Sequence, residues 1–161
     1  MDLGLCFSGG KDSTLAGLLV DPFFDVTLIT VSFGVTDAHI HAKRVANIVS
    51  MEHRTLELDR SIAEEAIERM VADGYPREGI QYVHEQALEA LAADSFDAVG
   101  DGTRRDDRAP TISRPFAQSL EDRHDVEYVA PLVGYGRGAV DSLVSDHLEI
   151  ERAPSESLAK G

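Results

Sequence analysis

The chain has 161 residues, 43% of them apolar and none of them Trp, which fits one soluble globular domain. Twenty-nine acids face 15 bases, a net charge of −14, which argues against a general affinity for nucleic acid, since that needs a basic face. No apolar run approaches the ~20 residues that span a bilayer, no basic stretch followed by an apolar core opens the chain, and a single cysteine, Cys6, excludes an internal disulfide or a CxxC metal pair. A cytoplasmic chain without a membrane partner is therefore expected, with Cys6 as a small buried strand residue.

Strands and helices alternate along the chain. LGLCF, residues 3–7, reads as a buried strand, and DSTLAGLLV, residues 12–20, as a helix. DVTLITVSF, residues 25–33, is β-branched and strand-like; residues 37–51 carry apolar positions at helical spacing, with Asp37 as the expected cap. HRTLELD, residues 53–59, alternates like a strand, and residues 61–74 start on a capping box of Ser61 and Glu64 and stop at Gly74. A helix over 79–94, a short strand over 97–102, a polar irregular stretch over 103–115, a helix over 114–124, a strand over 126–132 and a helix over 138–150 complete the pattern. The expected layout is one domain over residues 1–150 and a loose tail over 151–161. Such alternation predicts a parallel sheet with helices on both faces, doubly wound, with ligands beyond the carboxyl ends of the strands. Three segments should meet there: residues 8–13, 32–36 and 100–108.

The first of these segments carries the chemistry. Gly9 and Gly10 permit backbone angles that turn successive N–H groups inward as an anion nest. A helix begins at that point and adds the positive end of its dipole. Lys11 supplies a full charge, and Ser8, Ser13 and Thr14 supply hydroxyls. The spacing fits neither GxxxxGK[ST] nor GxGxxG. The plain alternative is a tight turn capped by Asp12 or Ser13.

SGGKDS, residues 8–13, directly after a first strand, resembles the PP-loop of the N-type ATP pyrophosphatases, the adenine nucleotide alpha hydrolase group, whose usual signature is SGGxD[ST]. GMP, NAD, asparagine and argininosuccinate synthetases, tRNA-lysidine synthase and tRNA thiolation enzymes are members. The resemblance implies a Rossmann-like (HUP-type) three-layer α/β/α sandwich with a mostly parallel sheet of about five strands. It also implies that Ser8, Gly9, Gly10, Lys11, Asp12 and Ser13 bind ATP, holding its β- and γ-phosphates and leaving the α-phosphate open. GDGTRRDD, residues 100–107, resembles a GxGT- or GHxxDD-like segment of the same group. By that resemblance Gly102 and Thr103 lie against the nucleotide, and Asp106 or Asp107 holds Mg²⁺ or orients the pyrophosphate. The alternative for RRDDR is a set of solvated salt bridges. In the group the end of the second strand wraps the adenine, largely through backbone, which makes Ser32, Phe33 and Gly34 candidates; a simple strand end is the alternative.

The implied reaction cleaves ATP to AMP and pyrophosphate, adenylates an acceptor and lets a nucleophile displace AMP, with Lys11 and Asp107 as the catalytic candidates. The acceptor is open: a small molecule or tRNA, supplied directly or through a partner protein, in tRNA modification or in amide or thiolation chemistry. Two other readings stay open, a non-catalytic nucleotide-binding regulatory or stress-type domain and a scaffold without activity. A homodimer is also open. His39 and His41 point to different helix faces and read as solvated or partly buried, and His84 and His147 read as ordinary. Arg114 could place a guanidinium near the phosphates, and GYGRG, residues 134–138, reads as a loop rather than a lid. Three lysines in all and a pI near 4.7 resemble the surfaces of proteins from salt-loving organisms, where salt screens self-repulsion. Dialysis into low salt should then erase helical circular dichroism, and full retention of the signal would refute this reading.

Overall fold

The computed structural model describes residues 1–148; residues 149–150 of the last expected helix and the expected tail 151–161 lie outside the described residues. Five strands and six helices follow one another as β1 (Asp2–Cys6), α1 (Lys11–Val20), β2 (Asp25–Ser32), α2 (Ala38–Ile48), β3 (Glu52–Glu57), α3 (Arg60–Asp73), α4 (Arg77–Ala92), β4 (Ala98–Gly100), α5 (Arg114–His124), β5 (Glu127–Val129) and α6 (Arg137–His147). The strands form one sheet in the order β3-β2-β1-β4-β5, and every neighbouring pair is parallel. β1 lies at the centre, with Leu5 opposite Leu28 of β2 and opposite Gly100 of β4.

Alternation along the strands builds two cores. Leu3 and Leu5 of β1, Phe7 just after it and Leu28 of β2 pack with Leu15 of α1, Val45 of α2 and Val140 of α6 on one face. Ile29 of β2 and Val99 of β4 pack with Leu88 and Leu91 of α4 and Leu120 of α5 on the other. Leu3, Leu5, Leu88, Leu91 and Leu120 are wholly buried, each contributing about 2 kcal/mol of transfer free energy. Helices thus cover both faces of the sheet, the three-layer sandwich expected from the sequence.

Element ends show which local signals were read correctly. α5 spans the expected residues 114–124, with Ser113 accepting the Phe116 N–H at 3.2 Å and Pro115 in its first turn, where a missing N–H costs nothing. Gly74 closes α3 in the left-handed conformation, φ 75°. The start of α3 corrects the expected capping box. Asp59 is the cap, its Oδ1 accepting the Ser61 N–H at 2.8 Å, so Ser61 is the capped donor rather than the cap and the helix begins at Arg60. Asp37 occupies the N-cap of α2, with no side-chain cap hydrogen bond.

Gly100 is required by packing. A Cβ there would lie 2.3 Å from the carbonyl oxygen of Val129 and 3.2 Å from Leu5 Cδ1. Backbone cannot yield as a flexible side chain can, so Gly100→Ala should destabilise the fold by about 2 kcal/mol or more, read as a lower urea midpoint at unchanged slope.

Candidate functional site

The strand order reverses its winding between β1 and β4, so the loops leaving these two strands open a crevice at the C-terminal edge of the sheet. A cavity of about 580 Å³ occupies it. The loop after β1 gives Ser8, Asp12 and Ser13 to its wall, and the segment after β4 gives Asp101, Gly102, Thr103 and Asp107. The remaining wall is mostly apolar, with Ile29 and Val31 from β2 and Ile80 and Val83 from α4.

The glycine loop is shaped by its own hydroxyls. The Ser8 N–H donates to Ser13 Oγ and the Gly10 N–H to Ser8 Oγ, both at 3.2 Å. Thr14 Oγ1 donates to the Gly10 carbonyl at 2.7 Å. Gly9 has φ +81°, and a Cβ on it would come within 2.9 Å of the His41 ring and 3.0 Å of Ala42 Cα, so α2 presses directly on the loop. Gly10 is the N-cap of α1, and no side chain caps that helix. The turn alternative, a cap by Asp12 or Ser13, is thus not what the loop does. His39 Nδ1 and His41 Nε2 are buried without a hydrogen-bond partner.

Other expected site residues divide into two groups. Ser8, Asp12, Ser13, Gly102, Thr103 and Asp107 come together; a Cβ on Gly102 would sit 3.1 Å from Ser13 Cα. Lys11 turns instead to α6, where it forms an ion pair with Asp141. Phe33 and Ser32 stand aside from the wall, which takes Thr30 and Val31 from this strand, and Ser32 Oγ accepts the Gly34 N–H at 3.0 Å.

Asp106 and Asp107 are gathered around Arg104. Its guanidinium donates to Asp107 Oδ1 at 3.0 and 2.8 Å, and its N–H donates to Asp107 Oδ2 at 2.7 Å. Asp12 lies 3.4 Å and Asp106 3.7 Å from the same guanidinium. Burial works against the Arg104 charge, but the Asp107 hydrogen bonds and the three carboxylates raise its pKa above the ordinary arginine value. Asp106 also accepts the Arg137 N–H at 2.9 Å, and this bond, aided by the Arg104 charge, holds its carboxyl below the usual range. Among the described residues no group of three or more His, Cys, Asp and Glu is placed to hold a metal ion. The GYGRG loop is tied to the same segment, with the Arg105 N–H donating to the Tyr135 carbonyl at 3.0 Å. Arg114 is the exposed first residue of α5.

Asp101 was not singled out by sequence reasoning, and His84 was read as ordinary; the structure pairs the two. Asp101 is 1% exposed. Its Oδ1 accepts from Thr103 N–H at 3.0 Å and Thr103 Oγ1 at 2.7 Å, and its Oδ2 from Tyr128 OH at 2.9 Å and His84 Nε2 at 2.8 Å. Burial disfavours the charge, yet His84 and then Thr103 outweigh it and hold the carboxyl below the usual range. Cys6 is a neutral thiol, its pKa pushed up by burial and by the Asp101 charge. The available signal was positional: an acid directly after a buried parallel strand lies at the ligand-binding edge.

A carboxyl depressed in the folded state contributes stability above its unfolded pKa of about 3.9 and loses it as pH falls through the folded value. Asp101→Asn should therefore cost about 3 kcal/mol at pH 7 by breaking a buried, fully paired charge. Urea unfolding in molar KCl should show the gap between variant and wild type closing below about pH 3.9. A gap independent of pH would mean that the carboxylate charge is not what holds this end of the sheet.

Known proteins resemble this arrangement to different depths. A solved structure described as a predicted subunit of tRNA methyltransferase from Methanocaldococcus jannaschii is 40% identical, with a TM-score of 0.87 over 91% of this chain and 76% of that one. An uncharacterized protein of the same organism is 40% identical over 156 residues, 96% of this chain and 78% of the relative. The NH3-dependent NAD synthetase of Campylobacter jejuni is 15% identical, with a TM-score of 0.60 over 90% of this chain and 63% of that one, and shares the fold. The sequence profile of a family of unknown function (DUF7411) matches residues 1–161, and the chain belongs to that family.

Proposed function

We propose that residues 1–150 form an ATP-binding PP-loop domain that cleaves ATP between the α- and β-phosphates and adenylates an acceptor. The observation that carries this reading is the Ser8–Gly9–Gly10 loop, held open by hydroxyls at the end of the central strand, with an uncapped helix start behind it and a cavity in front. Backbone N–H groups there suit phosphate oxygens. The fold shared with an NAD synthetase is consistent with it.

In this reading the loop N–H groups, Ser8, Ser13 and Lys11 bind the triphosphate, and Thr103 and Gly102 border the nucleotide. Fixed donors that meet charge developing on pyrophosphate lower the barrier without a protein nucleophile. Asp12 and Asp107 on the cavity wall offer the hard oxygen donors that suit Mg²⁺, which binds through one or two carboxylates with phosphates and water. Bound there, Mg²⁺ would neutralise charge on the leaving pyrophosphate. Arg104, between these acids, keeps them in place before the nucleotide arrives.

A relative described as a tRNA methyltransferase subunit favours work in an assembly. With −14 charges this chain repels nucleic acid, so any tRNA would be held by a basic partner. The acidic surface is read as adaptation to high salt. No helix among the described residues is long and apolar enough to cross a membrane.

Lys11 must leave Asp141 to reach a phosphate, which sets two opposite expectations. Calorimetry in molar KCl with Mg²⁺ should show Lys11→Ala weakening ATP binding at least about ten-fold, or 1.4 kcal/mol. Asp141→Asn should tighten it a few-fold, because the lysine no longer exchanges one anion for another. Unchanged affinity in Lys11→Ala would sink the phosphate-site assignment.

A further inference from the structure

His84 and Asp101 share the cavity with the phosphate loop, but binding of ATP phosphates gives them no task. Their hydrogen bonds determine what each can do. Asp101 remains an anion and can only accept, so the bond from His84 Nε2 at 2.8 Å requires a proton on Nε2. In the neutral ring Nδ1 then carries the lone pair, and Nδ1 makes no hydrogen bond among the described residues. Tyr128 donates to the same carboxylate oxygen and keeps its proton, because burial and then the Asp101 charge push its pKa up.

The other titratable groups on the cavity wall are unsuited to removing a proton near neutral pH. Cys6 keeps its proton, its pKa pushed up by desolvation and by the Asp101 charge. Asp12 and Asp107 are paired with Arg104 at 3.4 and 2.8 Å, and carboxylates are weak bases at this pH. His84 is partly exposed, with 19% of its side-chain surface accessible, and its imidazole lies on the wall with Nε2 fixed by Asp101.

We infer that His84, held in one tautomer by Asp101, is the general base for the adenylyl acceptor, and that this acceptor is a neutral, partly apolar molecule with an O–H or N–H to lose. The inference rests on the ATP reading above and names its missing substrate class. Two features select that class. Met70, Ile80, Val83, Ala87 and Pro110 line the cavity around His84 and offer an apolar surface. The base itself is the second: an acceptor that is already deprotonated, such as a carboxylate, would need none.

In the step, the acceptor X–H bond breaks and its electron pair forms the bond from X to the α-phosphorus. The proton passes to His84 Nδ1, giving an imidazolium that Asp101 stabilises. The bond from the α-phosphorus to the bridging oxygen breaks, and pyrophosphate leaves with that electron pair. Asp101 touches neither reactant and acts as a positioning residue.

The test uses the full chain in molar KCl with ATP and Mg²⁺, with water as acceptor and hydroxylamine in parallel. AMP and pyrophosphate are measured against pH, ATP binding by calorimetry, and the His84 ring by ¹⁵N chemical shift. His84→Gln retains a donor for Asp101 and removes the base. The wild-type ring should be the Nε2–H tautomer, and AMP release should rise with pH, as general-base catalysis requires. His84→Gln should slow release about 100-fold or more, abolish that pH dependence and leave ATP affinity within about two-fold. Asp101→Asn should mix the tautomers and slow AMP release, because the ring is no longer held with Nδ1 as its acceptor. Equal rates in wild type and His84→Gln, with both binding ATP, would overturn the base assignment. So would a wild type that binds ATP but releases no AMP to either acceptor. A ten-fold loss of ATP affinity in His84→Gln would reassign His84 to nucleotide binding. A wild type that does not bind ATP would overturn the ATP reading itself, and this inference with it.

Discussion

The parallel direction of all five strands is the constraint from which the site follows. Every carboxyl end lies on one edge, so the segments after β1 and β4 must emerge side by side. β1 is central because it pairs with both β2 and β4, and the chain winds outward from it in two directions. The crevice at that reversal is where backbone N–H groups at the start of α1 face side chains from the 101–107 segment. Packing alone produces this: Leu3 and Leu5 bury against one layer of helices, and Val99 against the other.

Much of the fold was legible because it rests on period and punctuation. β-branched residues over 25–32, apolar spacing in α2 and α4, and the Gly74 stop are local signals that packing did not override. The start of α3 was misread because Ser61 and Glu64 mimic a capping box two residues past the real cap, Asp59. The glycine loop was legible for the same local reason. What could not be read was pairing between distant residues. Asp101 meets His84 on α4 and Tyr128 on β5, separated by 17 and 27 residues, and only the folded sheet brings them together. The turn of Lys11 toward Asp141, 130 residues away, was equally invisible.

Asp101 also links the fold to the proposed proton chemistry. One buried carboxylate fastens the end of β4 to α4, to β5 and to the first residues of the following segment. A buried charge of this kind is costly unless every lone pair is used, and here both oxygens are doubly engaged. The geometry that keeps the sheet end rigid therefore also fixes the His84 tautomer, so support and proton chemistry cannot be separated by a single change at Asp101.

The charge around the loop explains why a strongly acidic protein can still be read as an ATP site. Lys11 and Arg104, two cations beside the loop, are already paired with Asp141, Asp12 and Asp107. On the ATP reading, an arriving triphosphate must compete with Asp141 for Lys11 rather than find an open positive patch. Binding then depends on the fixed N–H groups of the loop, which carry no counter-charge, and on a cation that travels with the nucleotide. High salt weakens the long-range repulsion from the acidic surface far more than these short contacts. On this reading the acidic shell and the phosphate loop are compatible because they act over different distances: the shell over a screened Debye length, the loop within a single hydrogen bond.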